Sequence, residues 1–192
     1  SFFNPKAGIS FNKNNYQVYL SFAVATKEPN RDDFEAGVNQ IPKPETLYDA
    51  EFGIEKKNEL FTYGATFYYM NYHNQLVNTG KINDVGAYTR TNTPHSYRAG
   101  VELQGTSIIT KWMNIMGNIA FSKNKIKNFT EYITEYIDDY DIGNQKQNYY
   151  QNTDISFSPD VVGAASINFI PVKNGEINLQ SKYVGRQYLD NT

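Results

Sequence analysis

Two histidines, His73 and His95, and no cysteine limit the metal and nucleophile chemistry open to this chain of 192 residues. No Gly-x-Ser-x-Gly elbow and no His-Glu-x-x-His pair occurs, so a nucleophile–base set is missing and the chain is expected not to be an enzyme. No catalytic residue, metal site or cofactor is assigned. His73 falls on a strand near a loop and His95 follows a proline; either could help hold a metal, with ordinary surface polarity as the competing reading. Asp138-Asp139-Tyr140-Asp141-Ile142-Gly143 hints at calcium. An EF-hand loop needs acids at alternate positions and glycine at the sixth, which no register here satisfies, so a solvated acidic loop is expected. Two features remain that suit ligand contact. Tyr132, Tyr136, Tyr140, Tyr149 and Tyr150 lie among Asn, Gln and Asp, and tyrosine offers a rigid, amphipathic contact surface; self-packing of the loop is the alternative. Arg31 could grip an anion or close a local salt bridge with Asp32 or Asp33. The candidate ligand-binding set is therefore Arg31, Tyr132, Tyr136, Tyr149 and Tyr150.

The elements that would position these residues alternate between short and long connections. Short turns fall at Asn12–Asn15, Lys57–Leu60, Ile109–Trp112 and Pro171–Gly175. Long polar stretches fall at Glu28–Pro44, Asn78–His95 and Asn128–Thr153. Between them, eight strands are expected: Pro5–Phe11, Tyr16–Lys27, Glu45–Lys56, Phe61–Val77, Ser96–Ile108, Met113–Lys127, Asp154–Ile170 and Glu176–Leu189. Each alternates with period two. Tyr16, Val18, Leu20, Phe22 and Val24 share one face, for example, against Gln17, Tyr19, Ser21, Ala23 and Ala25. In Phe61–Val77 the bulky residues move to even positions beyond Tyr69, and a bulge near Tyr69–Asn71 would produce that switch; otherwise the strand leaves the bilayer there. Hairpin partners follow one another, so an antiparallel meander is the simplest topology.

One end of such a sheet carries tight turns and the other long loops, as in transmembrane barrels. Several strands also exceed the roughly 5–6 residues usual in soluble sheets. On Glu45–Lys56 the face bearing Asp49, Glu51 and Glu55 cannot enter a dry core without partners, so it must meet water. In a barrel it lines the lumen, together with Arg98, Glu102 and Gln104 on a later strand. Glu51, Glu55, Arg98, Glu102 and Gln104 would contact a lumen-filling domain or pair with one another.

The composition is compatible with this architecture. Sixteen Tyr and twelve Phe stand against one Trp, and Tyr suits a boundary between oil and water, although both are good strand formers in any setting. The net charge of -2 removes the basic excess that nucleic-acid binding needs. No apolar run reaches the ~18 residues of a membrane-spanning helix. Ser1-Phe2-Phe3-Asn4-Pro5 is no signal peptide. The chain begins inside a strand pattern and stops after one, so any targeting signal is expected upstream.

Several stretches carry a more specific likeness. They are Phe3-Asn4-Pro5-Lys6-Ala7-Gly8, the run Val24–Phe34 containing Lys27-Glu28-Pro29-Asn30-Arg31-Asp32-Asp33-Phe34, Gln75-Leu76-Val77-Asn78-Thr79-Gly80, Tyr97-Arg98-Ala99-Gly100-Val101-Glu102, and Lys182–Thr192. In this order they resemble the C-terminal barrel of TonB-dependent outer-membrane receptors of the kind found in Bacteroidetes-type bacteria. The resemblance implies a 22-stranded barrel with an N-terminal plug. It also implies import of a scarce nutrient such as a ferric siderophore, haem, cobalamin or glycan, with energy relayed by TonB. Residues 1–192 would be one β-barrel portion lacking the plug, the TonB-contacting segment and the terminal strand. The partners implied are outer-membrane lipid, the protein's own plug domain, the TonB complex through the absent N-terminal part, the nutrient ligand and, for a glycan importer, a surface lipoprotein. Nucleic acid is not among them. Cut from its barrel, such a piece is expected to close on itself, dimerise through an edge or curl into a sandwich. The rival reading is a soluble β-sandwich that binds glycans, its apolar strand faces packed together.

Overall fold

The computed structural model describes residues 2–36, 41–83, 86, 88–138 and 141–192, with the side chains of 35–36, 136–138 and 141–144 also outside it. Within these residues the chain forms an antiparallel sheet of nine strands. They are β1 (Lys6–Lys13), β2 (Tyr16–Lys27), β3 (Glu45–Lys57), β4 (Phe61–Ile82), β5 (Tyr88–Thr110), β6 (Met113–Asp138), β7 (Asp141–Asp154), β8 (Val161–Val172) and β9 (Gly175–Val184). A 3-10 helix, Arg31–Ala36, lies between β2 and β3. No helix among the described residues is long and apolar enough to cross a membrane.

Strand order follows chain order, with one exception that explains the extra strand. The lower half of β6 pairs with β8 and its upper half with β7. β7 and β8 thus occupy one position in the sheet, end to end, separated by residues 155–160. The eight expected strands fill eight positions. The ninth comes from the Asn128–Thr153 stretch, expected to be a loop but folded as a hairpin. The Asn78–His95 stretch is corrected in the same way, since β4 and β5 continue through it as a paired ladder.

The tight turns lie at one rim. At Asn14 and Asn15 both φ values are positive, 50° and 67°, which is the primed hairpin geometry whose twist matches that of the flanking strands. Asn58 Oδ1 accepts the amides of Leu60 and Phe61 at 2.9 and 2.7 Å and closes the β3–β4 turn. Asn174 takes φ 65° between β8 and β9.

Register sorts the side chains. Paired residues of antiparallel strands point to the same face, so the ladders define rows across the sheet. One row reads Ile9, Leu20, Phe52, Phe67, Val101, Phe121 and Val161. The next outward-facing row reads Phe11, Val18, Ile54, Ala65, Leu103, Ile119 and Gly163. Nothing covers this face: Ile9 is 73% exposed, Leu20 55% and Phe67 51%. The buried apolar side chains among the described residues are Val77, Ile126, Phe129 and Ile155. A soluble sheet cannot leave so large a continuous apolar face to water; the arrangement suits a lipid-facing wall.

Aromatic rings bound the apolar rows on both sides. Towards the tight turns lie the stacked pairs Phe61–Tyr63 and Trp112–Phe169, at 4.9 and 6.2 Å between centroids, and Tyr16 beneath the Lys56 ammonium at 4.9 Å. Towards the long connections lie Tyr48, Tyr69 and Tyr97, the last two stacked at 6.1 Å. Phe61 to Tyr69 is nine residues, within the roughly 9–11 that a tilted membrane strand needs.

The sheet does not close on itself. β1 and β9 each have one paired neighbour, so both remain edges. Closure demands a tilt and stagger set by the number of strands, and these eight positions do not meet.

The bulge expected at Tyr69–Asn71 is absent, because the β4–β5 register runs without shift from Phe61 to Asn78. The facing changes further up. Phe67 and Tyr69, at odd positions, are exposed, yet Val77 and Thr79, also odd, are buried. Asn74 between them takes φ 55°. On β6 the same switch separates buried Ile126 from buried Phe129 across Asn128, also at φ 55°. Left-handed asparagines thus turn the strands over at one height.

The apolar wall yields a direct test. Val18→Arg or Phe121→Arg should cost about 2–4 kcal/mol near the midplane. The expected outcome is a sharp loss of folded protein from outer-membrane fractions when either change is made in the intact protein; unchanged recovery would contradict the lipid-facing assignment.

Candidate functional site

Above the upper aromatic ring the chain builds a polar mouth. The 3-10 helix supplies one wall, and its start is fixed by a reciprocal cap. The Asn30 amide donates to Asp33 Oδ2 at 2.8 Å, and the Asp33 amide donates to Asn30 Oδ1 at 3.1 Å. Asp33 then receives the Arg90 guanidinium through two bonds, Nε to Oδ1 at 2.8 Å and Nη2 to Oδ2 at 2.7 Å. The Asp33 side chain is only 3% exposed, so this bidentate pair tethers the loop to β5. Asn92 adds a second tether, accepting the Lys43 amide at 2.7 Å and donating to the carbonyls of Lys43 and Asn74 at 2.9 and 2.6 Å. The tethers frame a cavity of about 470 Å³, whose lining includes Lys43, Asn74, Arg90, Asn128, Thr130 and Tyr132.

The sequence-predicted ligand residues divide around this mouth. Arg31 opens the 3-10 helix. Asp33 takes its partner, Arg90, from 57 residues away. Tyr132 lines the cavity, and the Lys81 ammonium sits 5.2 Å from its ring centroid; burial lowers the Lys81 pKa. Its backbone carbonyl lies against Gly80, at φ 79°, where an added Cβ would overlap it. Tyr149 pairs with Thr130 on the Tyr132 side of the ladder; it is 76% exposed and donates to Gln147 at 2.6 Å. Tyr150 faces the other way, paired with buried Phe129. It donates to Glu131 at 3.0 Å, and that hydrogen bond raises the phenol's pKa. The side chains of Tyr136 and of the Asp138–Gly143 run lie outside the described residues. The five candidates therefore do not converge: Tyr132 and Tyr149 share a face, and Tyr150 does not join them. Asp33, Lys43, Arg90 and Asn92 carry the mouth's architecture, and nothing in their local sequence signals it.

Below the mouth, register places Glu51, Glu55, Arg98, Glu102 and Gln104 on the face opposite the apolar rows. They do not pair with one another. Arg98 Nη1 donates to Ser158 Oγ at 2.9 Å, Ser21 Oγ reaches Glu51 at 3.5 Å, and Gln104 lies over Gly64. Tyrosines on this face lie flat across glycines of the neighbouring strand. An added Cβ at Gly53 would overlap the Tyr19 ring, whose hydroxyl is 3.2 Å from Thr66 Oγ1, and one at Gly100 would overlap the Tyr68 hydroxyl. Towards the tight turns Thr62, Thr106, Met116, Asn118, Ser166 and Gln180 help to line a hollow of about 680 Å³.

At 155–160, where β7 gives way to β8, the chain folds into a polar knot. Ser122 donates to the Pro159 carbonyl at 3.0 Å, the Ser156 amide donates to Asn191 Oδ1 at 2.7 Å, and Asn191 Nδ2 donates to the Asn78 carbonyl at 2.7 Å. Residues 185–192 thereby link the last strand to β4 at the mouth. Among the described residues no group of three or more His, Asp or Glu side chains is placed to hold a metal ion.

The "TonB dependent receptor-like, beta-barrel" family model matches residues 1–192. This chain belongs to the TonB-dependent receptor β-barrel family. Members of the family are transporters, not enzymes, and sit in the Gram-negative outer membrane. Solved structures share the fold. The siderophore receptor PirA of Acinetobacter baumannii superposes with TM-score 0.64 at 15% identity over 96% of this chain and 29% of that one. The ferric-catecholate import receptor Fiu of E. coli K12 gives 0.63 at 18% over 94% and 24%. The ferric yersiniabactin uptake receptor FyuA of Yersinia pestis gives 0.62 at 18% over 98% and 26%. The chain thus spans about a quarter of the length of these receptors. Among curated proteins there is no match.

The Asp33–Arg90 pair sets the stability of the mouth. Arg90→Met strands a nearly buried carboxylate, at a cost of about 2 kcal/mol. Hydrogen exchange across residues 28–44 should accelerate roughly thirtyfold, with the barrel strands β2 and β3 unchanged.

Proposed function

We infer that the chain is the barrel portion through which a TonB-dependent outer-membrane receptor of Bacteroidetes type binds and admits a scarce nutrient. The observation that carries this reading is the alignment of the tethered mouth above an open, water-facing concave wall. Capture at the rim then leads into the lumen. A ferric siderophore is the ligand class that the structural neighbours favour, since those receptors bear the names of ferric-catecholate, ferric yersiniabactin and siderophore uptake. Tyr132 and Tyr149 offer the aromatic surface for such a ligand on one side of the mouth, and Arg31, at the start of the 3-10 helix, is the candidate cation. Haem, cobalamin and glycans are the competing ligands, and a surface lipoprotein partner belongs to the glycan case.

The concave wall faces the protein's own plug. Register puts Glu45, Asp49, Glu51, Glu55 and Glu102 on that face against Lys6, Lys27, Lys57, Arg98 and Lys182, so the complementary plug surface carries charges of both signs. The TonB complex engages the plug side of the machine and not this wall.

The test is growth of an iron-starved strain whose only siderophore receptor contains this chain. Ferric siderophore should support growth in a TonB-dependent manner. Tyr132→Ala combined with Tyr149→Ala should weaken ligand binding roughly tenfold or more, as loss of two aromatic contacts would, with the receptor still present in the outer membrane. Growth on glycans with no response to iron would overturn the ligand class.

A further inference from the structure

The outward face carries a feature that nutrient uptake does not use. Phe121 ends the apolar rows on β6, and the next three outward positions are Lys123, Lys125 and Lys127. Their cross-strand partners on β5 are Ala99, Tyr97 and His95, and His95 in turn pairs with His73 on β4. The Lys127 ammonium lies 5.8 Å from the Tyr97 ring centroid, and Tyr97 stacks on Tyr69. The two histidine rings meet edge to face at 4.7 Å, with Tyr48 beside His73 at 5.4 Å. Every histidine of the chain and three lysines therefore cluster at the upper aromatic ring, on the lipid side.

The charge there is largely unanswered. Lys125 is held by Asp154 at 2.6 Å. Lys123 and Lys127 are exposed and make no ion pair among the described residues. Their Cα atoms lie about 13 Å apart along the strand.

We propose that Lys123 and Lys127, flanked by His95 and His73, bind the phosphorylated headgroup of an outer-leaflet membrane lipid. Depth and charge argue together. The lysines begin one outward position above Phe121, where acyl chains end and headgroups start. A lipid can therefore lay its chains on the Phe67–Val101–Phe121 row while its phosphates meet the ammonium groups. Lysine holds phosphate as a point charge, needing no fixed fork geometry, and basic residues at this depth recruit anionic headgroups. Phosphate oxygens also accept from imidazole N–H. A soluble anion gains only the charge; the lipid gains the apolar rows as well.

The receptor that carries this chain, purified in a non-ionic detergent, tests the assignment by native mass spectrometry. The probe is a bisphosphorylated glycolipid of the outer-leaflet type, compared with the same lipid after its phosphates are removed. The phosphorylated form should bind tighter by roughly tenfold or more, as two basic contacts imply. K123Q/K127Q should abolish that preference, K123R/K127R should keep it, and Lys57→Gln at the opposite rim should leave it unchanged. Equal binding of the two lipids to the unmodified receptor would overturn the proposal, and that comparison needs no variant to fold. Retention of the preference by K123Q/K127Q would overturn it equally.

Discussion

The structure depends on one constraint: strand parity must be held from strand to strand across the apolar band. Inside a bilayer every backbone N–H and C=O must find a partner within the protein, and the antiparallel ladder provides them. Once the ladder is fixed, a side chain has two choices of face. The row from Ile9 to Val161 keeps the same choice through seven adjacent positions, and a one-residue slip of β3 or β5 would carry Glu51 or Arg98 into lipid. The sparse buried core, four apolar side chains among the described residues, is a consequence. The sheet gains its apolar burial from the membrane.

Function enters where that constraint is released. Above the upper aromatic ring the strands no longer meet lipid, and Asn74 and Asn128 turn the facing over. The β4–β5 and β6–β7 hairpins then continue as polar ladders that carry the mouth. The Asp33–Arg90 pair and the Asn92 bonds tie the β2–β3 connection to β5 there. The knot at 155–160 works similarly. It interrupts one strand position, turns Phe157 to φ 52° and gives Arg98 its partner on the concave side.

Much of the membrane-spanning part was legible in the sequence. Its apolar alternation has period two over many residues, and all eight strand positions follow from it. β7 was not legible. Its sequence, from Asp141 to Asp154, is polar at nearly every position because neither face meets lipid, so composition reads it as loop and only pairing with β6 makes it a strand. The parity switch in β4 was visible but misplaced. Met70 and Tyr72 look like a new outward set, yet they lie in the rows of Arg98 and Ser96 on the concave face, which is not purely polar. In the mouth, Tyr132 was found by its type. Arg90 was not, because its meaning comes from an aspartate 57 residues earlier, a contact that follows from fold and not from local pattern. The divergent placement of Tyr150 has the same cause: in a ladder, adjacent tyrosines must take opposite faces.

The central claim is the inside-out parity of the wall, and site-directed spin labelling along β4 tests it most directly. Residues 1–192 contain no cysteine, so single cysteines at 64 through 69 can each carry a nitroxide in the receptor reconstituted in lipid. Collision with oxygen, which concentrates in the bilayer, should peak at 65, 67 and 69. Collision with a water-soluble nickel complex should peak at 64, 66 and 68. A profile without that alternation, or one with the phases reversed, would contradict the account.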